Sequence, residues 1–128
     1  MKKILIVDDN PDILQVMHLL LGGRGFSVEV TTDGNQTLSK IKSFEPDVIF
    51  LDVFLSGMDG RDICKQLKDS PETKHIPIIL FSANKIKSSS VTEAKADAFV
   101  SKPFDIQDLL LTIESVLPEV SDSSSMIA

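Results

Sequence analysis

EPDVIFLDVFLSGMDG, residues 45–60 of this 128-residue chain, contains the segment that decides the fold. Residues Val48 to Leu51 form an unbroken apolar run, which is typical of a strand buried on both faces of a sheet. The run ends on the carboxylate of Asp52, and a glycine-containing loop follows. A carboxylate there is costly to desolvate unless a partner or water reaches it. Since ligands of open parallel sheets bind at the carboxyl ends of the strands, Asp52 marks a candidate site.

Strand and helix patterns alternate on both sides of this stretch. Apolar runs predict four more strands, at residues 4–7, 26–31, 76–81 and 98–100. Helical spacing of apolar residues predicts helices at 11–22, 33–45, 61–69, 85–95 and 105–117. Such alternation indicates a parallel sheet with helices on both faces, which is a three-layer α/β/α domain.

Three segments have distinct expectations. The strand at 26–31 alternates apolar and polar residues, so we expect it at an edge of the sheet. The helix at 85–95 has three serines and few apolar residues, so we expect it to be short or mobile. We assign residues 1–118 to the domain and the serine-rich residues 119–128 to a flexible tail.

Composition limits the partners and the compartment. The formal charge of −6 and the lack of a basic stripe argue against direct nucleic-acid binding, which depends on Lys and Arg contacts to phosphates. The single cysteine, Cys64, cannot form an internal disulfide, which favours a reducing compartment. The apolar run at 4–7 is too short for an export signal or a membrane span. We therefore expect a cytoplasmic protein with no membrane contact.

Polar side chains stand at four predicted strand ends: Asp8 and Asp9, Asp52, Ser82 and Lys102. Because these ends lie at one edge of a parallel sheet, we expect the side chains to converge. Three carboxylates together raise one another's pKa unless a cation lies among them, and Mg²⁺ prefers such oxygen ligands. With the Lys102 ammonium and the Ser82 hydroxyl nearby, the cluster is suited to accepting a phosphoryl group on Asp52.

The same motifs carry a family resemblance over residues 2 to about 117. In chain order they are Ile6-Val7-Asp8-Asp9, Asp52 followed by Met58-Asp59-Gly60, Ser82-Ala83, and Lys102-Pro103-Phe104. The chain resembles a two-component response-regulator receiver domain. The resemblance implies a flavodoxin-like, doubly wound, five-stranded parallel sheet in the order 2-1-3-4-5. It also implies a signalling phosphoacceptor rather than a turnover enzyme, with a sensor histidine kinase or histidine phosphotransfer protein as donor and a protein as downstream target.

The resemblance further implies how a metal is held. Asp9, Asp52 and the backbone carbonyl of Phe54 would bind Mg²⁺, and Asp8 would act through a water molecule. An apolar Phe54 two residues after the acceptor could hinder the water that removes the phosphoryl group, so we expect slow loss of phosphate.

By the same resemblance, Ser82 and Lys102 grip the phosphoryl oxygens, and Phe99 stands at the aromatic switch position. Phosphorylation of Asp52 would draw Ser82 toward the new oxygens and vacate space for the Phe99 ring. The face made by the fourth helix, fifth strand and fifth helix would then change. Phe99 as a permanent core residue, and Lys102 as a surface lysine, are the alternatives.

Two departures from the family pattern and two rival functions remain. Ser56 stands where the family usually has proline, which predicts a looser loop, and the polar segment 85–95 puts the usual output face in doubt.

A phosphohydrolase with an aspartyl nucleophile usually has a second acid two residues on, where this chain has Phe54. A flavin-binding module would need a phosphate-binding loop after the first strand, where Asp8 and Asp9 would repel the phosphate.

Overall fold

The computed structural model describes residues 2–117 and contains one five-stranded parallel sheet. Its strands are β1 (Lys3–Val7), β2 (Ser27–Thr31), β3 (Val48–Asp52), β4 (Ile78–Ser82) and β5 (Ala98–Ser101). A separate antiparallel hairpin pairs Phe54–Leu55 with Met58–Asp59. Counting the five sheet strands alone, the order is β2-β1-β3-β4-β5, which confirms the prediction and puts β2 at an edge. The predicted tail, 119–128, lies outside the described residues, so the domain boundary stays a prediction.

Five α-helices cover the two faces of the sheet within residues 2–117. They are α1 (Pro11–Gly22), α2 (Thr37–Phe44), α3 (Gly60–Asp69), α4 (Ser88–Glu93) and α5 (Ile106–Val116). Buried residues of α1 and α5, such as Met17 and Ile113, pack in one apolar cluster. Ile41 of α2 and Ile63 of α3 belong to a second cluster, built from side chains that point to the other face. The predicted three-layer arrangement is therefore confirmed.

Polar side chains fix the starts of three helices. The side chain of Asn10 accepts hydrogen bonds from the backbone N–H groups of Asp12 and Ile13 at the start of α1. Asp59 caps α3, and Asp105 begins α5 with a capping box. These bonds satisfy backbone donors that have no partner inside the helix.

The helix predicted at 33–45 begins later than expected. Residues Gly34–Gln36 form a 3₁₀ turn, and α2 begins at Thr37. Its buried positions are Thr37 and Ile41, four residues apart on one face of the helix, whereas Leu38 is 46% exposed.

The segment 85–95 contains the shortest of these helices, as predicted. Helix α4 has six residues, none of them fully buried, because its serines supply little apolar surface. In residues 2–117, no helix combines the length and the hydrophobicity that crossing a bilayer requires.

Candidate functional site

The acidic cluster lies at the carboxyl edge of two neighbouring strands. Strands β1 and β3 pair in parallel with Val7 opposite Leu51, so Asp8 and Asp9 emerge beside Asp52. One carboxylate oxygen from each of these three residues lies within 4.8 Å of the others. Asp8 is fully buried and Asp52 is 5% exposed, whereas Asp9 is partly exposed. The structure thus brings together the three carboxylates that the sequence placed at this edge.

Lys102 reaches the same cluster from β5. Its Nζ donates to Oδ2 of Asp8 at 2.8 Å and lies 3.5 Å from Oδ2 of Asp52. The ammonium also lies 4.7 Å from the centre of the Phe81 ring, and its side chain is 15% exposed. The Lys102–Pro103 peptide bond is cis. Lys102 is therefore part of the site, and the surface-lysine alternative was wrong.

Ser82 ends β4, the strand next to that of Asp52, and is 1% exposed. Its Oγ accepts a hydrogen bond from the backbone N–H of Asn84 at 3.0 Å. That bond leaves the hydroxyl proton available for an anionic oxygen. All the strand-end residues named from the sequence thus stand at one edge of the sheet.

The charges of this site are unbalanced. Burial raises the pKa of Asp52 from 3.8 to about 6, and the negative charge of Asp8 acts in the same direction. The Lys102 ammonium and the backbone N–H of Phe54, 3.3 Å from Oδ1 of Asp52, lower that pKa and oppose the rise. One ammonium facing three carboxylates leaves excess negative charge. The hard oxygen donors fit a divalent metal ion such as Mg²⁺ better than softer metals.

Gly60 allows the loop after β3 to turn closely. A Cβ atom at this position would overlap the backbone carbonyl oxygen of Asp52. The Gly60 N–H donates to the carbonyl of Val53 at 2.7 Å, which holds the start of α3 against the end of β3. Glycine is needed here for close approach of two backbones.

The comparisons with known proteins agree with this geometry. The family model described as the response regulator receiver domain matches residues 4–114. The chain belongs to this family. Its members are signal-transduction switch domains of two-component systems.

Curated relatives are longer than this receiver domain. The DNA-binding response regulator MtrA of Mycolicibacterium smegmatis is 32% identical over 123 residues, which are 94% of this chain and 53% of MtrA. The sensory transduction protein RegX3 of Mycobacterium bovis is 33% identical, over 98% of this chain and 55% of RegX3. The chain thus spans about half the length of these relatives.

Solved structures match over nearly their whole length. A response regulator from Chloroflexus aurantiacus superposes with a TM-score of 0.84 at 33% identity, covering 91% of this chain and 98% of the other. The chemotaxis protein CheY4 of Vibrio cholerae gives 0.84 at 30% identity, with the same coverage of the two chains. Both likenesses support the receiver fold found here.

The receiver domain has one contact at its site that the sequence did not reveal. The Ser56 hydroxyl donates to Oδ2 of Asp9 at 2.8 Å, from the turn of the hairpin. A looser loop was expected because proline is missing, but the structure gives the loop this defined partner. No periodic pattern connects two residues that lie 47 positions apart.

Phe54 follows Asp52 in the hairpin, and Phe99 lies on β5. The Phe54 ring is 46% exposed, and the Arg61 guanidinium carbon lies 5.8 Å from its centre. Phe99 is half-buried and packs against the cluster that contains Ile63. Its role as a switch residue stays a prediction.

The remaining candidates for chemistry lie elsewhere. His18 and His75 are exposed and are not among the residues of the acidic cluster. Cys64 is buried in α3, and burial raises the pKa of its thiol to about 12, so it is not a nucleophile at neutral pH. Cys64 therefore acts as a small buried hydrophobic residue.

Proposed function

We propose that this receiver domain accepts a phosphoryl group on Asp52 from a histidine kinase or a histidine phosphotransfer protein, and is not a turnover enzyme. The observation that carries the proposal is the position of Asp52, at the end of β3 with Lys102 Nζ 3.5 Å from its carboxylate. A nucleophilic carboxylate beside a fixed ammonium is suited to phosphoryl transfer, because positive charge stabilises the oxygens of the transferred group.

In the proposed reaction, an oxygen of Asp52 attacks phosphorus while the bond between phosphorus and the donor imidazole nitrogen breaks. The electron pair of that bond stays on the imidazole nitrogen, which then takes a proton. Asp9, Asp52 and the carbonyl of Phe54 would hold Mg²⁺, with Asp8 acting through water. When bound, the ion would offset the negative charge of the phosphoryl oxygens.

Lys102 and Ser82 would then hold the new oxygens. Lys102 already contacts both Asp8 and Asp52, so a small shift away from Asp8 would pair it with the acyl phosphate. The buried Ser82 hydroxyl has a proton to donate. We propose that this donation moves the loop after β4 and lets the Phe99 ring turn inward, which changes the surface that a downstream protein recognises.

Intact mass after incubation with acetyl phosphate and Mg²⁺ tests the proposal. We expect wild type to gain the mass of one phosphoryl group and Asp52→Asn to gain none, because an amide is not a nucleophile here. Asp12→Asn, which removes an exposed carboxylate at the start of α1, serves as the control and should label like wild type. Labelling of Asp52→Asn to the wild-type extent would show that the acceptor is another residue.

The proposed partners are proteins. MtrA is named as a DNA-binding protein, and this chain matches about half of it. The absence of direct nucleic-acid contact therefore stays a prediction for the residues matched here, supported by their acidic site and by the net charge of −6. Cytoplasmic location likewise stays a prediction.

A further inference from the structure

Two of the three acidic side chains each accept a hydrogen bond from a backbone N–H group two residues further along the chain. Asp8 accepts from Lys102 Nζ at 2.8 Å and from the backbone N–H of Asn10 at 2.8 Å. Asp52 accepts from the backbone N–H of Phe54 at 3.3 Å. Both carboxylates are buried as well, so the orientation of each is fixed before any ligand arrives.

Asp9 is held differently. It is the more exposed member of the cluster, and the donor that contacts its carboxylate is the side chain of Ser56, at 2.8 Å. Ser56 belongs to the hairpin turn, where Gly57 has a φ of 71°. The bond therefore joins the loop after β1, which contains Asp8 and Asp9, to the loop that follows Asp52 at the end of β3.

A hydroxyl donor at this position can do what a proline cannot. Proline, usual here in the family, has no hydrogen to donate from its ring. The Ser56 hydroxyl occupies one oxygen of Asp9 and leaves the other oxygen available to a cation. Fixing a ligand in advance reduces the conformational entropy that is lost on binding.

We propose that Ser56 is a positioning residue for the divalent cation. Its hydroxyl holds the Asp9 carboxylate toward Asp8 and Asp52, and thereby raises the affinity of the unphosphorylated domain for Mg²⁺. This inference rests on the proposed function in one respect, which is that Asp9 is a ligand of the ion.

Direct titration with the metal alone tests the inference. Free Mn²⁺ can be followed by its electron paramagnetic resonance signal, and Mg²⁺ affinity by competition with Mn²⁺. We expect Ser56→Ala to weaken the affinity for both ions by about threefold to tenfold, the effect of one hydrogen bond. Ser39→Ala, at an exposed serine of α2, is the matched control and should bind like wild type.

Threonine and valine have nearly the same shape, so a comparison of these two substitutions at position 56 isolates the effect of the hydroxyl. Ser56→Thr keeps the donor and should bind both ions like wild type, whereas Ser56→Val lacks it and should resemble Ser56→Ala. Equal affinities of the threonine and valine variants, or an alanine variant that binds as tightly as wild type or more tightly, would overturn the positioning role.

The same protein samples distinguish a failure of the positioning role from a failure of the proposed function. Acetyl phosphate labelling of wild type tests the phosphoacceptor function without reference to Ser56. If wild type is labelled and binds Mn²⁺ but the alanine and valine variants bind it equally well, the positioning role alone fails. If wild type binds no Mn²⁺, the positioning role and the cation part of the proposed function fail together.

Discussion

At the scale of single residues, the end of β3 depends on one position that has no side chain. The carbonyl oxygen of Asp52 occupies the space where a Cβ atom of Gly60 would lie. Backbone atoms of β3 cannot move aside as the end of a flexible side chain could, because β3 is paired on both sides. The position of the Asp52 backbone therefore requires glycine at residue 60.

We expect Gly60→Ala to lower the free energy of unfolding by about 3 kcal/mol, the upper part of the range for overpacking. Gly22→Ala is the matched control, because a Cβ atom there meets no neighbour within 4 Å and alanine favours a helix. Urea unfolding of both variants measures the difference. Equal stabilities would mean that the close approach at Gly60 is relieved at little cost.

At the scale of elements, Arg61 connects the hairpin with α4. It forms an ion pair with Asp59, with Nη2 2.7 Å from Oδ2, and its Nη1 donates to Ser90 Oγ at 2.8 Å. Helix α4 has no fully buried residue of its own, so this contact is important for its position. Since the hairpin follows Asp52, Arg61 offers a physical path from the site to α4.

We expect Ser90→Ala to increase amide hydrogen exchange in α4 relative to Ser89→Ala. Both changes improve helix propensity equally, so the difference between them reports the bond to Arg61. A hydrogen bond of about 1 kcal/mol corresponds to roughly a fivefold difference in exchange. Identical exchange in the two variants would mean that the Arg61 contact does not hold α4.

The elements also show how far the sequence predicts the structure. The apolar run before Asp52 and the alternation of patterns predict the strands, because burial on two faces requires continuous hydrophobicity. The helical spacing of apolar residues did not reveal that Thr37 is buried and Leu38 is exposed, because the buried position is taken by a polar residue. The bond between Ser56 and Asp9 had no local signal, because it depends on how two distant loops pack.

At the scale of the whole molecule, the protonation of Asp52 affects the free energy of unfolding. In the metal-free protein, burial raises the pKa of Asp52 to about 6 from 3.8. An acid whose pKa is higher in the folded state binds its proton more tightly there, so low pH favours folding. That contribution is present below about pH 4 and is lost as the pH rises through about 6.

We therefore expect Asp52→Asn, in the presence of a chelator, to become increasingly more stable than wild type as the pH rises from about 4 to about 6. The gain should reach on the order of 2 kcal/mol, from the size of the pKa shift. Urea unfolding of both proteins across this range measures it, and carboxyls that neither contact Asp52 nor share its partners cancel in the difference. A difference that does not change with pH would show that Asp52 ionises normally.

The two apolar clusters on opposite faces of the sheet have a consequence for divergence among relatives. The cluster with Met17 and the cluster with Ile63 are made by alternate side chains of the same strands. Replacements in one layer can therefore accumulate without repacking the other, while the strand ends keep their acids in register. The arrangement thus separates the residues that hold the helices from the acids at the rim of the sheet.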